Sequence, residues 1–194
     1  MAIAVNAALP VNSVAQLIAY AKAHPGKVNF ATAPQTGATT TVATKLFAHL
    51  AGITILEVPY TSNAARMTAL MGGEVQAQLA TAASFTPFLK SKQVKILGVA
   101  AKAASSMLPG VAVIGSQLPG FETDTYNAVF APAQTPAPIL ARLNKEVLAV
   151  MAQPDVRQKF LAAGLEPKGS NPADLTKAMR GSVQRVSRIV GVSK

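Results

Sequence analysis

The sequence predicts an α/β protein with a mainly parallel sheet. Helix-like and strand-like segments alternate through residue 101 with connections of a few residues between them, the order that βαβ units produce. The segment "ITILEVPY" (53–60) is nearly unbroken in its apolar character, which suits a strand covered on both faces. Half of the 194 residues are hydrophobic, with Ala and Val prominent and Trp absent. Side chains this small let helices pack closely on a sheet.

Taken in order, Ser13 stands as an N-cap before "VAQLIAYAKA", where Val14, Leu17, Ile18 and Ala21 recur at helical spacing until Pro25-Gly26. "KVNFAT" (27–32) predicts a short strand. A second helix is expected from Ala38 to Leu50, stopping near Gly52, followed by the strand 53–60. The next helix spans Ala64 to Met71 and closes on Gly72-Gly73, since glycine takes the left-handed turn that ends helices. "EVQAQLA" (74–80) alternates and predicts a strand, "ASFTPFLKSK" (83–92) a short helix, and "QVKILGVAA" (93–101) another strand. The Gly/Pro/Ser-rich stretch 105–124 has no clear period and is expected to be a connector with at most one helical turn. "TYNAVFAPAQTP" (125–136) predicts a strand. Three helices complete the chain, over 137–153, 154–164 and from 172 onward, the last with Asn171 as N-cap and Pro172 in its first position.

Composition narrows the function. The net charge is +10, with 8 basic against 3 acidic residues up to residue 122 and 10 against 5 beyond it. The excess reflects scarce acids, not a basic tract interleaved with aromatics, so a nucleic-acid partner is not expected. Lys177, Arg180, Arg185, Arg188 and Lys194 are spaced as the solvated face of a helix. A positive field favours a small anionic ligand. Cysteine is absent, which removes disulfide and thiolate chemistry. His24 and His49 lie near the ends of different helices, without the spacing of a metal site. GxSxG, GxGxxG and phosphate-loop patterns do not occur. A catalytic role, a metal and a cofactor are therefore not expected. Residues 1–13 lack the basic start and apolar core of a secretory signal, so the sequence as given points to the cytosol unless a leader precedes it.

The densest hydroxyl cluster is "TAPQTGATTT" (32–41), at a strand-to-helix junction. Parallel sheets place ligands outside the C-terminal ends of their strands. At a helix start the first N–H groups lack intrahelical partners and carry the positive end of the dipole. Gly37 lets a ligand approach the backbone, and the hydroxyls of Thr36, Thr39, Thr40 and Thr41 add donors suited to a carboxylate. A second reading of the same pattern is that one threonine caps the helix and the rest are surface residues.

The assembled segments resemble the Bug-type periplasmic solute-binding proteins of tripartite tricarboxylate transporters. The resemblance is carried by "LPVNSVAQLIAYAKAHPGKVNFAT", by "LFAHLAGITILEVPYTSNAARMTALMGGEVQAQLA", by "LPGF", by "FAPAQTPAPILARLNKEVLAVMAQPDVRQKFLAAGLEP" and by "NPADLTKAM". It implies a two-lobed Venus-flytrap fold of the periplasmic-binding-protein type, with residues 1–122 as a complete second lobe and 123–194 as the C-terminal part of the first. It also implies a periplasmic location, a small carboxylate ligand such as an organic or amino acid, and membrane subunits as partners. Carried over by position, the ligand-binding residues are Thr32, Thr36, Gly37, Thr39, Thr40, Thr41, Tyr60, Thr61, Ser62 and Ser84.

The chain departs from the family pattern where Pro34-Gln35 interrupts the first loop and Thr41 takes the place of a histidine. Thr61-Ser62 replaces Lys-Gly, and Ala80 stands where an acid is common. The matched segments also lack a counterpart to the first half of the first lobe. Residues 123–194 are thus expected to expose apolar helix faces open to self-association, and the chain to bind ligand weakly. The alternative function is an interaction or regulatory module that keeps the fold without transport.

Overall fold

The computed structural model describes residues 1–35, 38–101, 104–105, 107–123, 127–163, 165 and 167–190, and only the backbone of 185–186 and 188–190. "AIAVN" forms strand β1 (Ala2–Asn6). Successive side chains of a strand point to opposite faces, so Ile3 and Val5 enter one core cluster while Ala2 and Ala4 enter another. Helix α1 (Val14–Ala23) follows, its first turn capped by Ser13 Oγ, which accepts from Gln16 N at 3.1 Å. The alternation continues through β2 (Asn29–Thr32), α2 (Thr39–Ala51), β3 (Leu56–Pro59), α3 (Asn63–Gly72) and β4 (Ala77–Ala80). Helices α2 and α3 end on Gly52 at φ 60° and Gly73 at φ 79°, left-handed values that cost a residue with a Cβ. A four-residue helix α4 (Ala82–Phe85) runs into a single 3-10 turn before β5 (Val94–Val99).

The strands form one sheet in the order β3-β2-β4-β1-β5. Strand β2 pairs parallel with β3 and β4, and β1 pairs antiparallel with β4 and β5. Strands β2 to β5 therefore share a direction and β1 alone opposes them. One sheet face carries Ile3, Val5, Phe30, Ala77 and Leu79 against Val14, Leu17, Leu46 and Phe47 of α1 and α2. The other carries Ala2, Ala4, Ala31 and Ala80 against Met67, Leu70 and Phe85 of α3 and α4. The connector 107–121 returns over this body, with a 3-10 turn at Ile114–Ser116 and one parallel bridge from Val113 to Val99. It ends with Phe121 edge-on to Phe47, ring centroids 5.6 Å apart.

Several sequence expectations fail here. Residues 1–13 do not read as a strand, yet β1 is central and buried from Ala2 to Val5. The segment 53–60 contributes only four residues of strand, at the sheet edge, with Leu56 57% exposed. Apolar composition does not guarantee a cover, because an edge strand has a neighbour on one side only. The 74–80 segment does not alternate in burial; all of Ala77–Ala80 is inside. No strand occurs among the described residues of 125–136, where Val129 and Phe130 are 81% and 67% exposed. A strand needs a neighbour to pair its N–H and C=O groups, and no strand lies alongside this segment among the described residues.

The remaining helices are α5 (Ala137–Ala152), α6 (Pro154–Ala162) and α7 (Pro172–Val190). Asn171 caps α7 reciprocally: its Oδ1 accepts from Asp174 N at 2.8 Å while its Nδ2 donates to Asp174 Oδ2 at 2.7 Å. Helix α7 leans on α2, but neither α5 nor α6 buries a residue. Ile139, Leu143, Val147 and Val150 all face outward, as the sequence predicted for this segment. Every fully buried residue described lies at or before Phe121.

Gly98 of β5 tests the packing of the body. A Cβ there would meet Ile114 Cγ1 at 2.7 Å and Val14 Cγ2 at 3.0 Å, both in side chains with no exposed surface. Gly98→Val should cost about 1–3 kcal/mol, seen in thermal melts followed by circular dichroism as a Tm lowered by about 2–10 °C.

Candidate functional site

The register of the three adjacent parallel strands fixes where loops emerge. Thr32 at the end of β2 pairs with Pro59 at the end of β3, and Ala31 pairs with Gln78 of β4. The chain therefore leaves β2 at Ala33, β3 at Tyr60 and β4 at Thr81 side by side on one sheet edge. Tyr60 N donates to Thr32 O at 2.9 Å and joins the first two. Each loop leads into a helix, so the N-termini of α2, α3 and α4 sit along the same edge. Dipoles and first-turn N–H groups converging in this way favour an anion.

The sequence-derived site residues take distinct places on this edge. Thr32 is buried at the strand end. Thr36 and Gly37 lie outside the described residues. The N-cap of α2 is Ala38, with no side-chain cap, so Thr39, Thr40 and Thr41 are helical residues and not caps. Thr41 is buried, and its Oγ1 donates to Ala33 O at 3.1 Å, tying the helix back to the loop. Thr39 is exposed and Thr40 half-buried. Ser62 caps α3, accepting from Ala65 N at 3.1 Å. Thr61 beside it is exposed. Ser84 and Thr81 share a hydroxyl–hydroxyl bond of 2.9 Å at the start of α4. The Tyr60 hydroxyl donates to Glu74 Oε2 at 3.3 Å, beyond the C-cap of α3. Desolvation, then the charge and hydrogen bond of Glu74, raise its pKa above the ordinary tyrosine value, so the phenol keeps its proton at neutral pH.

A polar group that the sequence reading passed over lies under the first turn of α3. Gln78 Nε2 donates to Asn63 Oδ1 at 3.0 Å, and Arg66 Nη2 reaches the same oxygen at 3.5 Å. Gln78 has no exposed surface and Arg66 only 9%. Arg66 Nε and Gln78 Oε1 have no hydrogen-bond partner among the described residues. Burial lowers the Arg66 pKa from its ordinary value, though a guanidinium keeps its charge in proteins. One signal was available: Asn63 and Arg66 fall at helical spacing on the stripe that also holds Met67 and Leu70.

His24 and His49 do not gather further ligands. The His24 ring stacks on Tyr20 with centroids 4.3 Å apart, and no cluster of three or more His, Asp or Glu fit for a metal occurs among the described residues. Nor is any helix among them long and apolar enough to cross a membrane.

This architecture, one mixed sheet with helix N-termini and loops at the strand ends, is shared with solute-binding proteins. BugD, a periplasmic binding protein, superposes with a TM-score of 0.77 at 26% identity, over 100% of this chain and 66% of its own. The Rhodopseudomonas palustris protein Rpa4515, solved with adipate, does so with a TM-score of 0.79 at 28% identity, over 98% and 64%. MatC of the same organism, solved with malate, gives 0.74 at 25%, over 97% and 65%. In sequence, the UPF0065 protein in the tcbD-tcbE intergenic region of Pseudomonas sp. strain P51 is 31% identical over 179 residues, 91% of this chain and 53% of that one. The model of the tripartite tricarboxylate transporter family receptor, TctC, matches residues 1–193. The chain belongs to this receptor family. It spans about half the length of the curated relatives it matches.

The threonines can be told apart by experiment. Thr41→Val removes a buried bond and should cost about 1 kcal/mol in urea unfolding. Exposed Thr39→Val should change stability by less than about 0.5 kcal/mol.

Proposed function

We propose that the chain binds a small carboxylate-containing solute, an organic acid or amino acid, at the strand-end edge and serves uptake by a tripartite tricarboxylate transporter. The observation that carries this reading is that the N-termini of α2 and α3 and the turn at Thr81 lie along one edge of the β3-β2-β4 block. Family membership and the adipate and malate held by two of its structural neighbours support it. Thr39, Thr40, Thr61 and Ser84 are the side chains that present hydroxyls there, and Thr36 and Gly37 directly precede this group in the sequence. Thr32, Thr41, Tyr60 and Ser62 shape the edge through bonds to the protein, and Ser62, whose Oγ accepts from Ala65 N, can still donate its hydroxyl proton beside it. On this reading residues 1–122 form one lobe and 123–194 part of the other, the location is the periplasm, and membrane subunits are the partners.

About a third of each structural neighbour has no counterpart in this chain. A site closed by one lobe alone leaves the ligand partly in water, so its affinity is low. Calorimetric titration with adipate, malate and aspartate should give a Kd on the order of a millimolar for at least one of them, near −4 kcal/mol. No heat and no thermal stabilisation with any of the acids refutes the reading.

A second reading, an association module, is favoured by the outward apolar face of residues 127–163. Ala128, Val129, Val147, Val150, Met151 and Phe160 line a largely apolar hollow there. Contiguous apolar surface of this kind marks an interface. We propose that a second copy of the chain covers it. Sedimentation velocity should then show a dimer that dissociates on dilution and is lost in Val147→Glu/Val150→Glu. A monomer at all concentrations opposes it.

A further inference from the structure

The cluster of Asn63, Arg66 and Gln78 has no place in the site drawn from the strand-end hydroxyls. Arg66 is the one cation among the described residues that is more than nine-tenths buried. The described residues provide no carboxylate for it: the ion pairs found are Lys45–Glu57 and Lys159–Asp155. A buried charge left without a counter-charge is costly, and a hydrogen bond of 3.5 Å to an amide oxygen recovers little of that cost.

The position of the guanidinium says what would offset it. Helical side chains lean toward the helix N-terminus, and the contact of Arg66 Nη2 with Asn63, the first residue of α3, shows that it does so. Its tip thus lies under the turn that begins with Thr61 and Ser62. Gln78 is flanked in register by the small side chains of Ala31 and Ala4. Beside Nη2, the Nε–H donor stands unused. Nε and Nη form a planar fork that matches the two oxygens of a carboxylate.

We propose that Arg66, held by Asn63 and Gln78, is the specificity-determining cation of the site and takes one carboxylate of the ligand beneath the first turn of α3. The inference deepens the solute-binding reading and rests on it for the ligand class. It divides the ligand between two kinds of contact. One carboxylate meets a fixed charge, and the remainder meets hydroxyls and helix N-termini. A dicarboxylate is then preferred over the monoamide of the same length.

Formate, which fits the fork and nothing larger, is the first probe. Titrated into the full chain at constant ionic strength, it should move the Arg66 Nε–Hε resonance in ¹⁵N–¹H spectra to saturation and raise Tm, and Arg66→Met should abolish both responses. The variant should fold, since it exchanges an unpaired buried charge for an apolar chain of similar length. Gln78→Met keeps the charge and should retain the formate response in weakened form. With adipate or malate, Arg66→Met should weaken binding about tenfold or more. An Arg66 resonance that formate does not move, or a formate-induced rise in Tm that persists in Arg66→Met, overturns the proposal. If formate engages Arg66 while no dicarboxylic acid binds, the proposal stands and the solute-binding reading fails. If dicarboxylic acids bind wild type and Arg66→Met alike, the reverse holds.

Discussion

Everything at the strand-end edge depends on β1 running against its neighbours. It pairs with β4 through Ala2 to Val5 and with β5 along its whole length, with a register shift between Ile3 and Ala4. Without it, the β3-β2-β4 block and β5 would have no shared ladder, and the two core clusters would lose Ile3 and Val5 on one face and Ala2 and Ala4 on the other. The reversal of this interior strand also has a geometric effect. The four strands around it still point the same way, so their C-terminal ends remain on one edge. The helices α2 and α3 that follow β2 and β3 begin there, so the positive ends of both dipoles lie on that edge.

The hydroxyls on the edge divide by whether the fold already uses them. Ser62 has a helix to cap and Thr41 a loop to hold. Thr81 and Ser84 satisfy each other. These bonds keep the backbone N–H groups of the edge in place, which is what an anion at a helix start requires. Tyr60 is tethered at both ends, by its N–H to Thr32 and by its hydroxyl to Glu74. The protonated phenol and Glu74 together link the two ends of α3.

Local signals in the sequence proved legible and tertiary ones did not. Ser13 and Asn171 were readable as caps because a cap acts within one turn. The same logic mislabels the threonines 39–41, since Ala38 holds the cap position and only the loop's path reveals it. "AIAVN" is too short and too uniformly apolar to announce a strand; its place between β4 and β5 makes it one. "ITILEVPY" has the composition of a covered strand but lands at the edge, because coverage is a property of the neighbours. "TYNAVFAPAQTP" has the composition of a strand but finds no neighbour to pair with. The strand-to-helix junctions followed from the alternation of elements, whereas helical spacing relates Asn63 to Arg66 but not to Gln78. Gln78 lies 15 residues from Asn63, and only the packing of α3 on β4 brings them together.

The two halves of the chain differ in what water does to them. Up to Phe121 most of the large apolar residues are inside, with Leu50, Leu56 and Leu89 as exceptions, and the polar groups left unpaired among the described residues, Arg66 and Gln78 among them, are few. Beyond it, α5 and α6 hold their shape by local means, with prolines in their first turns and the Lys159–Asp155 pair on the surface, an exposed ion pair of little worth. Isolated helices of this length are marginal in water, so their apolar faces need a cover to be stable. About a third of the length of two structural neighbours lies outside the part matched here. Arg66 presents the same deficit in polar form, since a buried cation needs a counter-charge as an apolar face needs a partner. The deficit behind α3 is small and charged, and the one along α5 and α6 is broad and greasy.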